Sequence, residues 1–348
     1  MRFIIYGAGA VGSIIASGLA MNGYSTIIVG NHKHVEKIKT DGLKIITPTK
    51  THKINIEAYA KAEEIGSFNK DDVILLTAKS QHTILCLGQL RNAGASKKIP
   101  VICCQNSIVN EPTASRIFDN IYGAVISIDG VFLKPGEIGL ASNGKLGYVE
   151  IGCYPNGSDE LSKDVIKCFK KSGIDAHVSK TIMKSKGSKC LLNLMNAFEA
   201  ITDTKIEDCQ ISDDFADKVR KEARTVWKAA GIEWDPMNEY YSRSISTRSI
   251  EQMPKGYNKT GRKSSTWQSL TKKNGNAETE QINGDIVNMG RMLGIKTPYN
   301  EVLTNIIKEM IKKKEKPGKY SFKELEKKCI EQENYTRLKE SQVELCGK

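Results

Sequence analysis

The chain has 348 residues, of which 39% are apolar, and a formal net charge of +12. This length predicts two domains, and no segment approaches the roughly 18 uninterrupted apolar residues that a membrane span requires. The excess lysines are spread along the chain without interleaved aromatic residues or a nucleic-acid motif, which favours a solvated surface over a nucleic-acid interface.

The N-terminus contains a glycine-rich turn directly after a short apolar run. The run Phe3 to Tyr6 leads into the pattern G-x-G-x-x-G, formed by Gly7, Ala8, Gly9, Ala10, Val11 and Gly12. A helical stretch at 13–21 and a second apolar run at 25–29 complete a βαβ unit. In this context the glycines permit a tight turn and a close approach of backbone to a pyrophosphate, and the helix N-terminus offers N–H groups to phosphate. The same uncharged segment resembles a signal peptide, but its many glycines favour the dinucleotide-binding turn.

Further β-branched runs alternate with helical patterns through the first half of the chain, at 54–56, 73–76, 100–104, 124–128 and 149–151. This alternation predicts the α/β class, with a doubly wound parallel sheet of Rossmann type over residues 1–178. Such a sheet binds its ligand beyond the carboxyl ends of the strands. We therefore expect Lys79 and the pair Gln105-Asn106, which follow two of the predicted strands, to lie near the ligand.

From about residue 180 the pattern becomes helical, which predicts an all-helical second domain over residues 179–348 with a lysine-rich C-terminal tail. The domain boundary is expected near 172–182. The predicted elements are a long buried helix at 184–202, a loop-rich segment at 236–263, a helix at 278–293, a helix that begins at Thr297-Pro298 and ends at Pro317-Gly318, and a last surface helix with a capping box at Ser321–Glu324.

Polar residues lie on the apolar faces of two predicted helices. Lys189, Asn193 and Asn196 are spaced i, i+4 and i+7, which places them on one face of the helix at 184–202. A buried ammonium or amide needs partners, so the three residues either cap neighbouring elements or form a functional polar stripe, and we favour the stripe. Glu278 lies four residues before Ile282 on the same helix face, where it either serves a site or complements the helix dipole.

The nine cysteines form neither a C-x-x-C pair nor a zinc-like arrangement with histidine. Several of them lie in apolar surroundings, as Cys103 and Cys104 do. We therefore expect buried, reduced thiols in a cytoplasmic protein and predict no metal site.

In this order, the segments of the chain resemble the ketopantoate reductase (2-dehydropantoate 2-reductase) family over about residues 1–310. The segments that carry the resemblance are 7–12, 34–43, 77–79, 105–106, 135–138, 189–197, 264–265 and 278–284. The resemblance implies a Rossmann domain followed by a helical domain similar to the C-terminal domain of 6-phosphogluconate dehydrogenase. It also implies stereospecific hydride transfer from NADPH to the ketone of a 2-oxo acid.

The resemblance assigns roles to the residues that match the family's motifs. Lys189 would protonate the developing alkoxide and stabilise its charge, and Glu278 would hold the substrate hydroxyl or the cofactor. Asn106 would contact both the nicotinamide ribose and the substrate.

The other matching residues would bind the ligands. Asn193 and Asn196 would hold substrate oxygens, and Ser264 or Ser265 would bind the substrate carboxylate. Lys79 would lie along the cofactor, as would the glycine turn.

Three departures from the family pattern concern the site. Ser107 stands where the family usually has glycine, and Asn193 and Asn196 are three residues apart where many members space the two asparagines by four. Asn31 stands where many members have an arginine for the 2′-phosphate.

The second strand ends without Asp or Glu, which disfavours NAD, and His32, Lys33 and Lys37 supply positive charge near Asn31. We therefore predict NADPH as the cofactor, with Asn31 and Lys33 near its adenosine end.

Three functions remain open at this stage. The simplest is the reduction of 2-dehydropantoate to (R)-pantoate in pantothenate and coenzyme A biosynthesis. The second is the reduction of another 2-oxo acid by a paralogous enzyme, and the third is a non-catalytic sensor that binds a dinucleotide. The predicted partner is a small-molecule substrate, without nucleic acid or membrane, and the sequence leaves a homodimer open.

Overall fold

The computed structural model describes residues 1–142, 144–204, 212–245, 263–273 and 275–346. The chain forms two compact units. The first contains Met1–Ser188 and the described part of 234–261, and the second contains Lys189–Glu233 and the described part of 262–348. The first unit thus reaches past the predicted boundary at residue 178 and also includes a segment from the second half of the chain.

Within the described ranges, all strands belong to the first unit and form two sheets. In chain order they are β1 (Arg2–Tyr6), β2 (Ser25–Val29), β3 (Leu43–Ile46), β4 (Thr51–Ile54), β5 (Glu57–Tyr59), β6 (Asp72–Leu76), β7 (Val101–Cys103), β8 (Ile121–Ser127), β9 (Gly130–Lys134), β10 (Glu137–Leu140), β11 (Gly147–Cys153) and β12 (Ile174–Val178). The larger sheet has eight strands in the order β12-β11-β8-β7-β6-β1-β2-β5. Its neighbouring strands are parallel except for β8 and β11, which are antiparallel.

The helices, in chain order, are α1 (Ala10–Met21), α2 (His32–Asp41), α3 (Thr83–Asn92), α4 (Asn110–Ala114), α5 (Glu160–Lys171), α6 (Ile182–Asn193), α7 (Asn196–Thr202), α8 (Ser212–Ala229), α9 (Met237–Ile245), α10 (Ser265–Thr271), α11 (Thr279–Leu293), α12 (Pro298–Lys312) and α13 (Phe322–Cys346). None of those in the described part of the chain is long and apolar enough to cross a membrane.

The central strand β1 is buried on both faces of the large sheet. Phe3 and Ile5 belong to one apolar cluster with α1 and α5, whereas Ile4 and Tyr6 belong to a second cluster with α3. Side chains alternate across a strand, so a continuous apolar run is required where both faces are covered. This arrangement confirms the predicted α/β class with a Rossmann-type parallel sheet.

The small sheet was not predicted. Its strand order is β4-β3-β10-β9, and each of these strands has only four or five residues. The predicted strand at 54–56 was wrong, because Ile54 ends β4 and the following strand, β5, begins at Glu57. A buried histidine, His34, joins α2 to this sheet: its Nδ1 accepts a hydrogen bond from the backbone N–H of Gly136 over 2.8 Å.

After residue 233 the chain belongs to the first unit again, and a polar network attaches this segment to β11 and α6. The guanidinium of Arg243 on α9 donates to Asp235 (2.6 Å), to Glu150 of β11 (3.1 Å) and to the Ser185 hydroxyl of α6 (3.1 Å). Ser188 donates to the backbone carbonyl of Asp235 over 2.7 Å. α9 also shows that the predicted loop at 236–263 was wrong in its first part, and residues 246–262 lie outside the described residues.

The helices of the second unit pack around aromatic side chains. Phe198 of α7, Phe215 of α8 and Phe322 of α13 have ring centroids 5.5–5.7 Å apart. Glu222 of α8 fixes the start of α12, because its carboxylate accepts hydrogen bonds from the backbone N–H groups of Tyr299 and Asn300. The second unit is all-helical in its described residues, as predicted.

The structure corrects the predicted helix at 184–202. The chain forms two helices, α6 and α7, with a break at Leu194 and Met195. The side-chain amide of Asn283, on α11, donates to the Leu194 carbonyl over 3.0 Å. A carbonyl freed at a helix end needs such a partner, and Asn283 supplies it.

The predicted helix ends near the C-terminus were partly right. Thr297 is the N-cap of α12 with Pro298 at its first position, and the capping box between Ser321 and Glu324 is present at the start of α13. The end of α12 was placed too late, because the helix stops at Lys312, before Pro317.

Candidate functional site

The glycine turn between β1 and α1 is closely packed at two of its glycines. Gly7 has a φ of +126°, and a Cβ there would lie 2.3 Å from the backbone nitrogen of Ala78. A Cβ on Gly12 would lie 2.2 Å from the Gly7 carbonyl oxygen and 2.5 Å from Thr77 Oγ1. These distances are impossible for a real side chain, so the turn requires glycine at both positions.

The third glycine, Gly9, has a different environment. A Cβ there would meet nothing within 4 Å, and Gly9 is the N-cap of α1 without a capping side chain. The first turn of α1 contains no acidic residue. The start of α1 thus combines N–H groups without a side-chain cap, the positive end of the helix dipole and space at Gly9, which fits the pyrophosphate of a dinucleotide.

The loop after β6 lies against the glycine turn. The Thr77 hydroxyl donates to the Gly7 carbonyl over 2.7 Å, and the backbone N–H groups of Thr77 and Ala78 donate to the Tyr6 carbonyl. Lys79 follows directly and is half-buried. The structure thus brings the predicted residue Lys79 to the same sheet edge as the glycine turn, as expected for carboxyl ends of adjacent parallel strands.

The loop after β7 holds Asn106 by its backbone. The Asn106 carbonyl accepts hydrogen bonds from the Asn110 amide (2.7 Å) and the Ser80 hydroxyl (3.1 Å). The Asn106 side chain is half-buried. The loop is further tied by buried side-chain hydrogen bonds between Gln105, Thr83 and Asn110.

Ser107 lies at a position where the backbone conformation favours glycine. Its φ is +71°, in the left-handed region that disfavours residues with a Cβ. The loop thus adopts at Ser107 a backbone conformation that glycine reaches without strain.

Asn31 and Lys33 lie after β2 and are exposed. Asn31 is the N-cap of α2, and its side-chain oxygen accepts a hydrogen bond from the Lys33 backbone N–H over 3.0 Å. His32 lies 3.5 Å from Glu36, and Lys37 lies 2.7 Å from Asp41. Part of the positive charge in this segment is thus balanced within α2, and Asn31 has a structural task as a helix cap.

Lys189 and Asn193 lie one turn apart in the second half of α6, and both are half-buried. Asn196 lies on a separate helix, because the break at residues 194–195 makes it the first residue of α7. The predicted i, i+4, i+7 stripe on one helix was therefore wrong for Asn196 and holds only for Lys189 and Asn193.

Ser264 is brought next to Asn196. Its hydroxyl donates to the Asn196 carbonyl over 3.4 Å, and its backbone N–H donates to Glu199 over 2.8 Å. As the N-cap of α10, Ser264 also accepts a hydrogen bond from the Trp267 N–H. Ser265 is exposed in the first turn of α10. Asn196 and Ser264 thus lie together, with Ser264 already engaged in local structure.

Glu278 is the N-cap of α11, one residue earlier than the predicted helix position. Its carboxylate is half-buried and makes no capping hydrogen bond. The helix it precedes is joined to the end of α6 through the hydrogen bond from Asn283 to the Leu194 carbonyl. Glu278 therefore begins the helix that supports the break between Asn193 and Asn196.

One buried ion pair was missed at the sequence level. Lys186 of α6 lies 2.7 Å from Glu111 of α4, and both side chains are almost completely buried. Burial raises the pKa of Glu111, while Lys186 acts to lower it. The sequence contained a signal for this pair, because Lys186 lies three residues before Lys189 in a predicted buried helix. A buried lysine requires an acidic partner.

Two family models match the chain. Residues 3–156 match the model described as Ketopantoate reductase PanE/ApbA, and residues 181–311 match Ketopantoate reductase PanE/ApbA C terminal. Among curated proteins, the chain is 29% identical to 2-dehydropantoate 2-reductase of Pyrococcus abyssi over 314 residues, which are 88% of this chain and 97% of that protein.

Solved structures have the same fold. A PanE/ApbA family ketopantoate reductase from Ralstonia eutropha gives a TM-score of 0.75 at 24% identity, covering 90% of this chain and 99% of that one. D-mandelate dehydrogenase gives a TM-score of 0.74 at 23% identity with the same coverage. The family models together span most of the sequence in the order of the two units. The chain therefore belongs to the ketopantoate reductase family, whose named members are oxidoreductases.

Proposed function

We propose that the protein is an NADPH-dependent reductase of a 2-oxo acid, with the conversion of 2-dehydropantoate to (R)-pantoate as the first reaction to test. The observation that carries the proposal is the open, uncapped N-terminus of α1 at Gly9, in a chain that belongs to the ketopantoate reductase family. That helix end fits a phosphate group, and nothing in its first turn repels an anion.

The dinucleotide would bind along the carboxyl edge of the large sheet. The N–H groups at the start of α1 would hold the pyrophosphate, with Lys79 beside it as a positive charge. Asn106 would contact the nicotinamide ribose. Lys33, in the first turn of α2 after β2, would lie near the 2′-phosphate, while Asn31 would contribute its position at the helix start rather than a charge.

The chemistry requires a hydride at the carbonyl carbon and a proton at the carbonyl oxygen. NADPH supplies the hydride when it is bound. Lys189 would donate the proton to the oxygen as negative charge develops there, and its remaining positive charge would stabilise that oxygen before the transfer is complete. Asn193, one turn further along α6, would hold the same oxygen or its neighbour.

The remaining polar residues of the second unit would orient the substrate. Asn196 and Ser265 would bind the carboxylate group. Ser264 would hold the start of α10 beside α7 through its hydrogen bonds to Asn196 and Glu199. Glu278 would accept a hydrogen bond from a substrate hydroxyl. A polar site that hydrogen-bonds a hydroxyl discriminates strongly against substrates that lack one.

Initial rates with a panel of 2-oxo acids test the proposal. We expect reduced-nicotinamide absorbance to fall with 2-dehydropantoate at a kcat/KM well above that for pyruvate or phenylglyoxylate. A higher value for an aryl 2-oxo acid would favour the second candidate, a reductase of another 2-oxo acid, which is the kind of activity that the name of the structural relative D-mandelate dehydrogenase suggests. Dinucleotide binding without turnover of any 2-oxo acid would contradict the enzymatic proposal and favour a sensor.

The cofactor preference is tested at Lys33. The structural relative D-mandelate dehydrogenase was solved with NADH, so the assay compares NADPH with NADH. We expect Lys33→Ala to raise the KM for NADPH by about fivefold, equivalent to about 1 kcal/mol, and to leave the KM for NADH unchanged. The exposed Lys61→Ala serves as a control for loss of one surface charge. An equal effect of Lys33→Ala on both cofactors would contradict the contact with the 2′-phosphate.

A further inference from the structure

A single buried ammonium holds both ends of the loop that carries Asn106. Lys186 Nζ donates to the Gln105 carbonyl over 2.9 Å, at the start of the loop, and pairs over 2.7 Å with Glu111, in the first turn of the helix α4 that ends the loop. It also lies 3.3 Å from the carbonyl oxygens of Cys103 and Ala124, in the neighbouring strands β7 and β8. All of these atoms belong to the first unit.

The loop between those two anchors is also held by side-chain hydrogen bonds, from the Ser80 hydroxyl to the Asn106 carbonyl and among Gln105, Thr83 and Asn110. Asn110, next to Glu111, donates its amide to the Asn106 carbonyl over 2.7 Å. Ser107 has a positive φ, which is an unfavourable conformation for serine. A strained residue beside Asn106 keeps its conformation only if the surrounding structure holds it there, and the anchors at Gln105 and Glu111 contribute to that restraint from both sides.

The stability of the fold alone does not explain why the buried pair Lys186–Glu111 is present. Two apolar side chains of similar volume are often as stable as a buried ion pair, because the charges lose their hydration. The ammonium nevertheless does something that an apolar side chain cannot do, since it donates hydrogen bonds to backbone carbonyls at the end of β7.

We propose that Lys186 is a positioning residue, whose ammonium fastens both ends of the loop 105–111 and thereby holds Asn106 in the orientation that cofactor and substrate binding require. The inference rests on the proposed function for the role of Asn106, but the restraint on the loop is independent of that role. Lys186 itself touches neither ligand in this proposal.

The experiment compares Lys186→Met with the double variant Lys186→Met/Glu111→Met. The single variant leaves the Glu111 carboxyl buried without its cation, and we expect a lower melting temperature and a fall in kcat/KM of about 100-fold. The double variant removes both charges at similar volume, so the melting temperature should return close to that of the wild type.

The activity of the double variant separates the two interpretations. If Lys186 positions the loop, kcat/KM stays at least about tenfold below wild type although stability has recovered, because the Gln105 carbonyl still lacks its donor. If kcat/KM recovers together with the melting temperature, the pair is only a structural element of the core and the proposal is overturned.

Hydrogen exchange tests the restraint without any assay of turnover. In both variants we expect the backbone amides of residues 104–111 to exchange at least about tenfold faster than in the wild type, while those of β1 and α1 remain protected. Unchanged exchange in this segment would overturn the proposal even if activity fell. If the wild type reduces no 2-oxo acid, the proposed function fails, and the exchange rates still decide the role of Lys186.

A matched exposed ion pair on α5 provides the control. Lys167 Nζ lies 2.9 Å from Asp164, and both side chains are at least half exposed. Lys167→Met and Lys167→Met/Asp164→Met should leave the exchange of residues 104–111 and kcat/KM within about twofold of wild type. A comparable effect from this surface pair would show that loss of a lysine, rather than loss of the anchor, is responsible.

Discussion

The two units build their polar sites in different ways. In the first unit the predicted pyrophosphate contact comes from backbone N–H groups at the start of α1, where Gly9 leaves room for a ligand, and the side chains of Lys79 and Asn106 would add to it. In the second unit the polar groups are side chains, and an interrupted helix sets their positions at Asn193 and Asn196. A backbone site recognises a feature common to all dinucleotides, whereas a side-chain site can be changed to suit one substrate.

The largest expected effect on turnover comes from Lys189→Ala, which tests the side-chain site of the second unit. Loss of a general acid and of its charge should lower kcat by about 1,000-fold. The dissociation constant for NADPH, measured by fluorescence titration, should change by less than about twofold because the backbone site is untouched. Lys228→Ala, at an exposed position on α8, is the control. Unchanged turnover in Lys189→Ala would contradict the proposed mechanism.

Glu222 gives the helical unit a pH-dependent contribution to the free energy of unfolding, which can be measured. Burial raises the pKa of Glu222 to about 7, against the hydrogen bonds from Tyr299 and Asn300. A carboxyl whose pKa is higher in the folded than in the unfolded state binds its proton more tightly when folded, so stability falls as pH rises from about 4.5 to 7. We expect the free energy of unfolding to decrease by about 3 kcal/mol across this window from this group.

Urea unfolding of the wild type and of Glu222→Gln at several pH values measures this contribution. The variant should lose that part of the pH dependence, while changes due to other groups remain. Glu333→Gln, a neighbouring acidic residue on α13, is the control. If both variants keep the slope of the wild type, the raised pKa of Glu222 is contradicted.

Two glycine substitutions sharpen the comparison within the first unit. Gly12→Ala places a Cβ 2.2 Å from the Gly7 carbonyl oxygen and should destabilise the fold by about 2 kcal/mol. Gly9→Ala has space for its Cβ and should leave the melting temperature unchanged. Because that space is where we place the pyrophosphate, Gly9→Ala should weaken NADPH binding by about tenfold. Unchanged binding in a stable Gly9→Ala protein would contradict the position of the cofactor.

Ser107→Gly has the smallest expected effect. Relief of the left-handed backbone conformation favours the folded state, whereas the greater freedom of glycine in the unfolded chain opposes it. We expect a net gain of about 0.5 kcal/mol in the free energy of unfolding, with kcat/KM within about twofold. Ser115→Gly, at a position with an ordinary negative φ, should destabilise instead. A loss of stability in Ser107→Gly would show that the serine hydroxyl outweighs the backbone strain.

Local signals in the sequence were sufficient for the first unit's dinucleotide turn. The spacing of Gly7, Gly9 and Gly12 identifies the turn by itself, although Gly7 and Gly12 also pack against Thr77 and Ala78 of a distant loop, and the apolar run at β1 matches a strand buried on both faces. The start of α12 at Thr297 and Pro298 was equally local. These features depend on a few consecutive residues, so a spacing rule predicts them.

The missed features depend on partners far away in the chain. The break between α6 and α7 is stabilised by Asn283, 89 residues after Leu194, and Lys186 is balanced by Glu111, 75 positions before it. Neither distance leaves a periodic signal in the sequence. The small sheet was missed for a similar reason. Its strands β3 and β10 are short, and they pair with each other although about 90 residues separate them in the sequence.

A crystal structure of the protein with NADP⁺ and pantoate would test the central claim most directly. We expect Lys189 Nζ within about 3 Å of the substrate's C2 oxygen, with Asn106 at the nicotinamide ribose and the pyrophosphate at the start of α1. A complex in which the Lys189 ammonium points into solvent, while other groups hold the C2 oxygen, would contradict it.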